Sequence, residues 1–269
     1  MAKLNILACA DRKYEDFAPI FIAACLWSNP DATVEIGVEN SDQFNRANLQ
    51  AVSVLSSAYG RDAFLVRDAI WHHKNGRKIL PNSVRFLTEP MMPSEYVYIS
   101  DIDIVTLQSD IANRHVAFMA RTGLPYSNWL RTGHERLTGL HFCRRDWQYP
   151  LPPYEDLIAT RINDEQLLYM LVRRKLGFDP PIIEKFRPLH GIHMSPSRTP
   201  NGSVRNGRAR PGWYIKPHRE GWNRFRNTGS FRDLEPHLSE RIRTFVAQID
   251  DETAGAGNGA NESGLGSHP

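Results

Sequence analysis

Apolar and polar residues along the chain sort into short strand-like runs separated by helical repeats. Residues 3–9 form an apolar run rich in β-formers that stops at Ala10 and Asp11, as a buried strand would, and lead into a helix-like stretch ending near Trp27. Residues 33–38 alternate as TVEIGV and predict a second strand. Between 44 and 59 apolar side chains recur at 44, 47, 51, 52, 55, 58 and 59, with Gly60 as a stop, so the spacing predicts one amphipathic helix. A brief third strand is predicted at 63–66. The segment 96–107, YVYISDIDIVTL, opens with four strand formers, and its acids begin only where that run ends.

The second half continues in the same style. Strands are predicted at 116–120 and 137–143 and a helix at 163–176, which Asn163 can cap, whose positive end suits Asp164 and Glu165, and which Gly177, Pro180 and Pro181 stop. Residues 188–195 (PLHGIHMS) fit strand or loop, and 197–217, rich in Gly, Pro, Arg and Asn without periodicity, read as a long loop. Leu234, Leu238, Ile242, Phe245, Val246 and Ile249 mark a last amphipathic helix, and 250–269 predict a disordered tail. Strands alternating with helices imply an α/β fold: a mixed, mostly parallel sheet flanked by helices, in one domain over 1–249. Ligands bind such sheets beyond the carboxyl ends of the strands, so Asp11, Asp101 and Asp103 should share one rim.

Composition narrows the class. With 269 residues, 41% hydrophobic and 23% charged, the chain can bury a sizeable core and is neither disordered nor fibrous. Its longest nearly apolar run, 17–27, contains Pro19 and falls short of the roughly 20 residues of a membrane span. The N-terminal apolar stretch is too short for a signal peptide, so a cytoplasmic protein is expected. Cys9, Cys25 and Cys143 lie far apart without a CxxC pair, which argues against a disulfide scaffold or a cysteine metal site. The net charge of +3 conceals a segregation: 198–226 carries Arg198, Arg205, Arg208, Arg210, Lys216, Arg219, Arg224 and Arg226 against Glu220 alone, +7, leaving −4 elsewhere. Such a block suits an anionic partner, whether phosphate, nucleic acid or the inner face of a membrane.

Asp101 and Asp103 form an Asp-x-Asp pair at the end of a predicted strand. Residues i and i+2 of an extended chain project to one side, so both carboxylates can face one hard cation such as Mn²⁺ or Mg²⁺. A pair of solvated acids at a strand end is the plain alternative.

The run RFLTEPMMPSEYVYISDIDIV, from 85 to 105, resembles the nucleotide-sugar glycosyltransferases of the GT-A fold, particularly glycosyltransferase family 8, and the opening ILACADRKYEDF is similar to that family's first strand and Asp-x-x-Tyr turn. The resemblance implies a UDP-hexose donor and a retaining transfer to a saccharide, glycolipid or protein acceptor. It implies that Ala10, Asp11 and Tyr14 hold the nucleotide, that Arg85 and Lys216 lie near the phosphates, and that Asp101 and Asp103 bind the metal with His193. His190 competes for that last place, and Asp164, Glu165 and Gln166 would face the transferred sugar. Thr138 and Gly139 resemble the sugar-pocket segment, with Leu137 where the family has Asn.

Plainer readings stand beside these. Tyr14 can pack on the following helix, His193 can be a satisfied core histidine, Asp164 and Glu165 can serve the helix dipole alone, and Arg85 can lie on the surface. Trp213 and Trp222 can stack on a sugar or anchor a loop. DIDIVTL also satisfies the haloacid dehalogenase phosphatase signature, with Asp101 as nucleophile and Asp103 as general acid, although the later acid pair it needs after a strand has only Asp250 and Asp251 to draw on, which follow a helix. The arginines of 198–226, interleaved with Trp213, Tyr214, Trp222 and Phe225, leave a nucleic-acid-binding protein as an alternative, although no zinc finger, helix-turn-helix or RNA-recognition motif is matched and the rest of the chain is net acidic.

Overall fold

The computed structural model describes residues 2–255 apart from 74, 75, 77, 132, 161, 187, 206, 207 and 211. Among these the strands are β1 (Ala2–Cys9), β2 (Thr33–Val38), β3 (Phe64–Asp68), β4 (Ser94–Ile99), β5 (Ile104–Thr106), β6 (Tyr126–Ser127), β7 (His141–Arg144), β8 (Gly191–His193), β9 (Ser203–Arg205) and β10 (Arg208–Arg210). The helices are α1 (Ala18–Ser28), α2 (Ser41–Ala47), α3 (Leu49–Tyr59), α4 (Pro81–Leu87), α5 (Ile111–Thr122), α6 (Arg145–Gln148), α7 (Glu155–Ala159), α8 (Asp164–Leu176), α9 (Ile215–Arg226), α10 (Gly229–Leu234) and α11 (Glu240–Gly255).

Six strands form the central sheet in the order β3-β2-β1-β4-β7-β6. The first four are parallel, β7 is antiparallel to β4, and β6 is antiparallel to β7. This is the mixed, mostly parallel sheet flanked by helices that the alternating pattern predicts. Side chains alternate between its faces: Leu4, Ile6 and Ala8 of β1 enter a core shared with α1, α3, α5, α9, α10 and α11, while Leu7 enters a second core with α4, α7 and α8. Burial on both faces explains why β1 reads as a nearly unbroken apolar run. α1 is likewise apolar all round, with residues 18–26 buried between the sheet, α3 and α10. Pro19 fits because it lies in the first turn, where its missing N–H has no helical acceptor.

Several boundaries differ from the pattern reading, each for a local reason. Residues 116–120 are not a strand but the middle of α5, whose buried set Ile111, His115, Phe118 and Met119 has helical spacing. The helix expected over 44–59 is two, broken at Asn48, whose side-chain amide donates to the Phe44 carbonyl (3.0 Å). The strand expected over 137–143 shortens to His141–Arg144. The loop expected over 197–217 contains the β9–β10 hairpin, and α9 begins inside it. Pro236 falls between α10 and α11, and α11 runs on through Gly255, so 250–255 are helical rather than tail. The remainder of the expected tail, 256–269, lies outside the described residues.

Candidate functional site

The chain leaves β4 at Ile99, and the fully buried Ser100 extends the ladder by donating its N–H to the Leu7 carbonyl (2.9 Å). The turn at 101–103 closes when Ile104 N–H meets the Asp101 carbonyl (3.2 Å), and β5 then pairs antiparallel with β8 in a register that sets Ile104 opposite His193. Met194 N–H donates to the Asp103 carbonyl (2.8 Å), and His193 Nε2 lies 3.2 Å from Asp103 Oδ1. The approach of β8 requires glycine at 191, because a Cβ there would sit 1.8 Å from the Val105 carbonyl oxygen. Donor atoms of Asp101, Asp103 and His193 consequently lie within 4.8 Å of one another. Two carboxylates and an imidazole at that spacing can hold a divalent cation.

These residues open on a cleft of about 350 Å³ beyond the carboxyl ends of β1 and β4. α4 carries Arg85 into it, 93% buried in effect at 7% exposure, where its guanidinium reaches Asp101 Oδ1 (2.6 Å) and Asp164 Oδ2 (3.2 Å) and lies over the Phe86 ring. Gly139 leaves room for it, since a Cβ there would come within 2.8 Å of Arg85 Nη2. α8 presents Asp164 and Glu165 from its first turn, and Arg131 pairs with Glu165. The connector after α4 is fixed by fully buried Glu35, whose carboxylate accepts from Arg67 Nε (2.5 Å) and from the N–H groups of Met91 and Met92 (both within 3.0 Å). A buried acid held by that many donors is tolerated, and it sets the course from α4 to β4. Five carboxylates (Asp11, Asp101, Asp103, Asp164, Glu165) face three guanidinium groups (Arg85, Arg131, Arg198) across the cleft, an excess of two acids. That excess favours a cation.

On the opposite wall the Asp11 carbonyl accepts from Tyr14 N–H (2.8 Å) and Glu15 N–H (3.0 Å), while its carboxylate accepts from Lys13 N–H (3.2 Å). Tyr14 stacks on Phe17 with ring centres 5.8 Å apart, and Arg241 of α11 lies against both rings and pairs with Asp16. Partial burial pushes the Tyr14 phenol up from its ordinary pKa, with the Asp103 and Asp11 carboxylates adding to the effect. It is a neutral, half-buried ring facing the cleft. Tyr14 thus both packs on the following turn and lines the cavity.

The cleft brings together Ala10, Asp11, Tyr14, Arg85, Asp101, Asp103, Asp164, Glu165 and His193 from the sequence reading. It excludes three others. Gln166 completes a capping box, its side chain accepting from Asn163 N–H (3.4 Å), and does not line the cleft. Lys216 is exposed on α9 beside a separate depression with Tyr214 and Asn201. His190 is buried (1% exposed) in a closed chain: Nδ1 donates to Gln108 Oε1 (2.8 Å), Nε2 accepts from His115 Nε2–H (2.8 Å), and His115 Nδ1 accepts from Ser127 Oγ (2.8 Å). Both its nitrogens are engaged, so His193 is the histidine available to a metal. Thr138 also turns inward, to Asn128 Oδ1 (2.6 Å), leaving Gly139 at the cleft.

The two rival functions lose their residues. Trp213, Trp222 and Phe225 are buried, so of the aromatics in the basic stretch Tyr214 alone is exposed, and the stacking surface for nucleic acid is missing among the described residues. Asp250 accepts from Trp222 Nε1 (2.7 Å) and pairs with Arg226 (3.0 Å), outside the cleft, so the phosphatase acids do not converge on Asp101. Sequence reasoning missed Asn82, Arg131, Ser195 and Ser197 as lining residues, whereas Arg198 belongs to the basic stretch expected to meet an anionic partner. Asn82 comes from the first turn of α4 and the others from irregular segments.

No family model matches the chain, and no curated protein matches it. Solved structures resemble it in part of the fold. An active-site mutant of LgtC superposes with TM-score 0.42 and 11% identity, over 61% of this chain and 68% of that one. The galactosyltransferase LgtC in complex with donor and acceptor sugar analogs superposes with TM-score 0.40 and 14% identity, over 61% of this chain and 69% of that one. The glycosyltransferase GlyE of Streptococcus pneumoniae TIGR4 gives TM-score 0.41 and 9% identity over 65% of this chain, which spans 44% of that protein's length. Likeness at this level is partial, and what the cleft does is decided by its own residues.

Proposed function

We propose that the protein is a metal-dependent glycosyltransferase of GT-A-like fold that moves a hexose from a UDP-sugar to an acceptor hydroxyl with retention of configuration. One observation carries the reading: donor atoms of Asp101, Asp103 and His193 lie within 4.8 Å of one another at a cleft beyond the carboxyl ends of parallel strands. Two hard carboxylates and an imidazole in a cleft of net negative charge fit Mn²⁺ or Mg²⁺. Such an ion, when bound, neutralises charge on a diphosphate leaving group. Arg198 lines the same space and supplies a guanidinium for the phosphates, while Arg85, spent on Asp101 and Asp164, orients those two acids. Tyr14 offers its ring, and Ala10 and Asp11 their backbone and carboxylate, to the nucleoside.

Asp164 and Glu165 flank the transferred sugar. Each is already engaged by an arginine, which supports an orienting role over that of a general base and so supports retention. Gln166 acts by fixing the start of α8. The exposed Lys216 and Arg224 of α9 are suited to peripheral contact with an anionic membrane surface, in keeping with a cytoplasmic enzyme that works on a saccharide, glycolipid or protein acceptor. No helix among the described residues is long and apolar enough to cross a membrane.

The test is a panel of nucleotide sugars in a thermal-shift assay with and without Mn²⁺. A ligand at a hundredfold its Kd stabilises the native state by about 2.7 kcal/mol. A shift with a UDP-hexose only in the presence of metal is the expected result. No shift from any nucleotide sugar refutes the reading.

A further inference from the structure

A second cavity, of about 300 Å³, is built against the same two helices that shape the cleft, and Pro81 lines both spaces. On α4, Asn82 and Arg85 face the cleft while Ser83 faces the second cavity; on α8, Asp164 and Glu165 face the cleft while Leu167 faces the cavity. The chemistry changes across that wall. Leu80, Leu157, Ile158, Ile162 and Leu167 make the second space mostly apolar; among the described residues Lys78 is its one charged lining residue, and no carboxylate lines it. Its volume lies at the lower end of the roughly 300–1,000 Å³ of small-ligand sites. Leu80 stays 46% exposed at its edge instead of joining the core behind it, so apolar surface is offered to a ligand from outside.

We propose that this cavity is the apolar subsite of the acceptor. The acceptor is an amphiphile: its hydroxyl-bearing end enters the cleft beside Asp164 and Glu165, and its alkyl or aryl group lies over Pro81 between Leu80, Ile158 and Ile162. Pro81 has no N–H to leave unpaired, which suits it to a wall that an apolar chain crosses. The name acceptor rests on the glycosyl-transfer reading above, whereas binding of an alkyl chain does not.

The probes are ethyl, butyl, hexyl and octyl β-D-glucosides, each below its micelle concentration, with Kd read by ligand-observed NMR on the whole protein. Kd is expected to fall roughly fourfold per buried methylene until the cavity is full. Ile158→Trp fills the space from α7, away from the cleft, and is expected to abolish the chain-length dependence while leaving the shift given by UDP-sugar and Mn²⁺ unchanged. Leu80→Asp, at the cap position of α4 where aspartate is well tolerated, is expected to weaken octyl glucoside on the order of tenfold. A flat series in the wild type, or a chain-length dependence that survives both variants, overturns the proposal. If the wild type gives no shift with any nucleotide sugar, the glycosyltransferase reading falls and takes the name acceptor with it, while the glucoside series still decides the apolar site.

Discussion

Asp103→Asn separates a metal site from a structural acid pair. In the metal-free protein two carboxylates repel each other at a separation of at most 4.8 Å. At that distance the repulsion is about 0.9 kcal/mol with a water-like dielectric and about 3.5 kcal/mol with the effective value of about 20 used near protein surfaces. Asp101 is 27% exposed in its side chain and has Arg85 2.6 Å away, so the lower part of that range applies, about 1–2 kcal/mol. The carboxamide keeps an oxygen 3.2 Å from His193, and the Met194 bond to the residue 103 carbonyl is main chain, so little structure is lost. The variant should therefore melt higher than the wild type without metal, by roughly 2–6 °C. With Mn²⁺ at a hundredfold the wild-type Kd, the order should reverse, because the wild type gains about 2.7 kcal/mol and the variant little. Differential scanning calorimetry with chelator and then with Mn²⁺ reads both halves. A variant less stable than the wild type under chelator, or one that gains as much from Mn²⁺, would refute the reasoning.

Two further outcomes follow from the supporting structure. Gly191→Ala must push β8 from β5, since its Cβ would overlap the Val105 carbonyl oxygen at 1.8 Å; we expect a loss of about 2–4 kcal/mol in urea unfolding and no remaining Mn²⁺ shift, and an unchanged shift would show that the strand pair does not set His193. Burial holds His115 down to about 3 and His190 well below its usual range, whereas both titrate near 6.5 when unfolded. The unfolded chain therefore binds more protons below the unfolded value: the contribution is complete above about pH 6.5 and is lost as pH falls, toward about 3 for His115 and toward its own depressed value for His190, with a slope of up to about 1.4 kcal/mol per pH unit for each histidine. His190→Asn, which tolerates the positive φ of 59° there, should flatten that slope, and an equal slope in the variant would sink the assignment.

What the sequence made legible was what is local. The Asp-x-Asp pair stood out because a strand end and an i, i+2 spacing are both written in adjacent residues, and the Asn163 capping box likewise. The choice between His190 and His193 was not legible, since both lie in PLHGIHMS; it is made by the register that sets Ile104 opposite His193 and by the distant side chains of His115 and Gln108. Residues 116–120 misled because VAFMA is a short apolar run, and only its packing between sheet and solvent fixes the helical period. Arg131 and Arg198 carry no motif. They reach the cleft through loops whose course depends on contacts such as Asn128 to Thr138 and Trp213 to the Arg198 carbonyl (3.2 Å).

The basic stretch 198–226 does not act as one patch, and its dismemberment explains how the last part of the chain belongs to the site. Arg198 lines the cleft, Arg226 turns inward to Glu235 (2.8 Å) and Asp250 (3.0 Å), and Lys216 and Arg224 remain outside. Trp213 joins these fates: its carbonyl accepts from His193 N–H (2.9 Å), its indole donates to the Ser195 carbonyl (3.2 Å), and its ring meets Phe245 of α11 edge-on at 5.1 Å. From the same helix Arg241 grips Asp16 and covers Tyr14 and Phe17. One C-terminal helix thus braces the turn that presents Tyr14 and, through Trp213, the segment that presents His193. The strands and helices up to residue 195 carry nearly all the polar groups of the cleft, but they do not hold them in place alone.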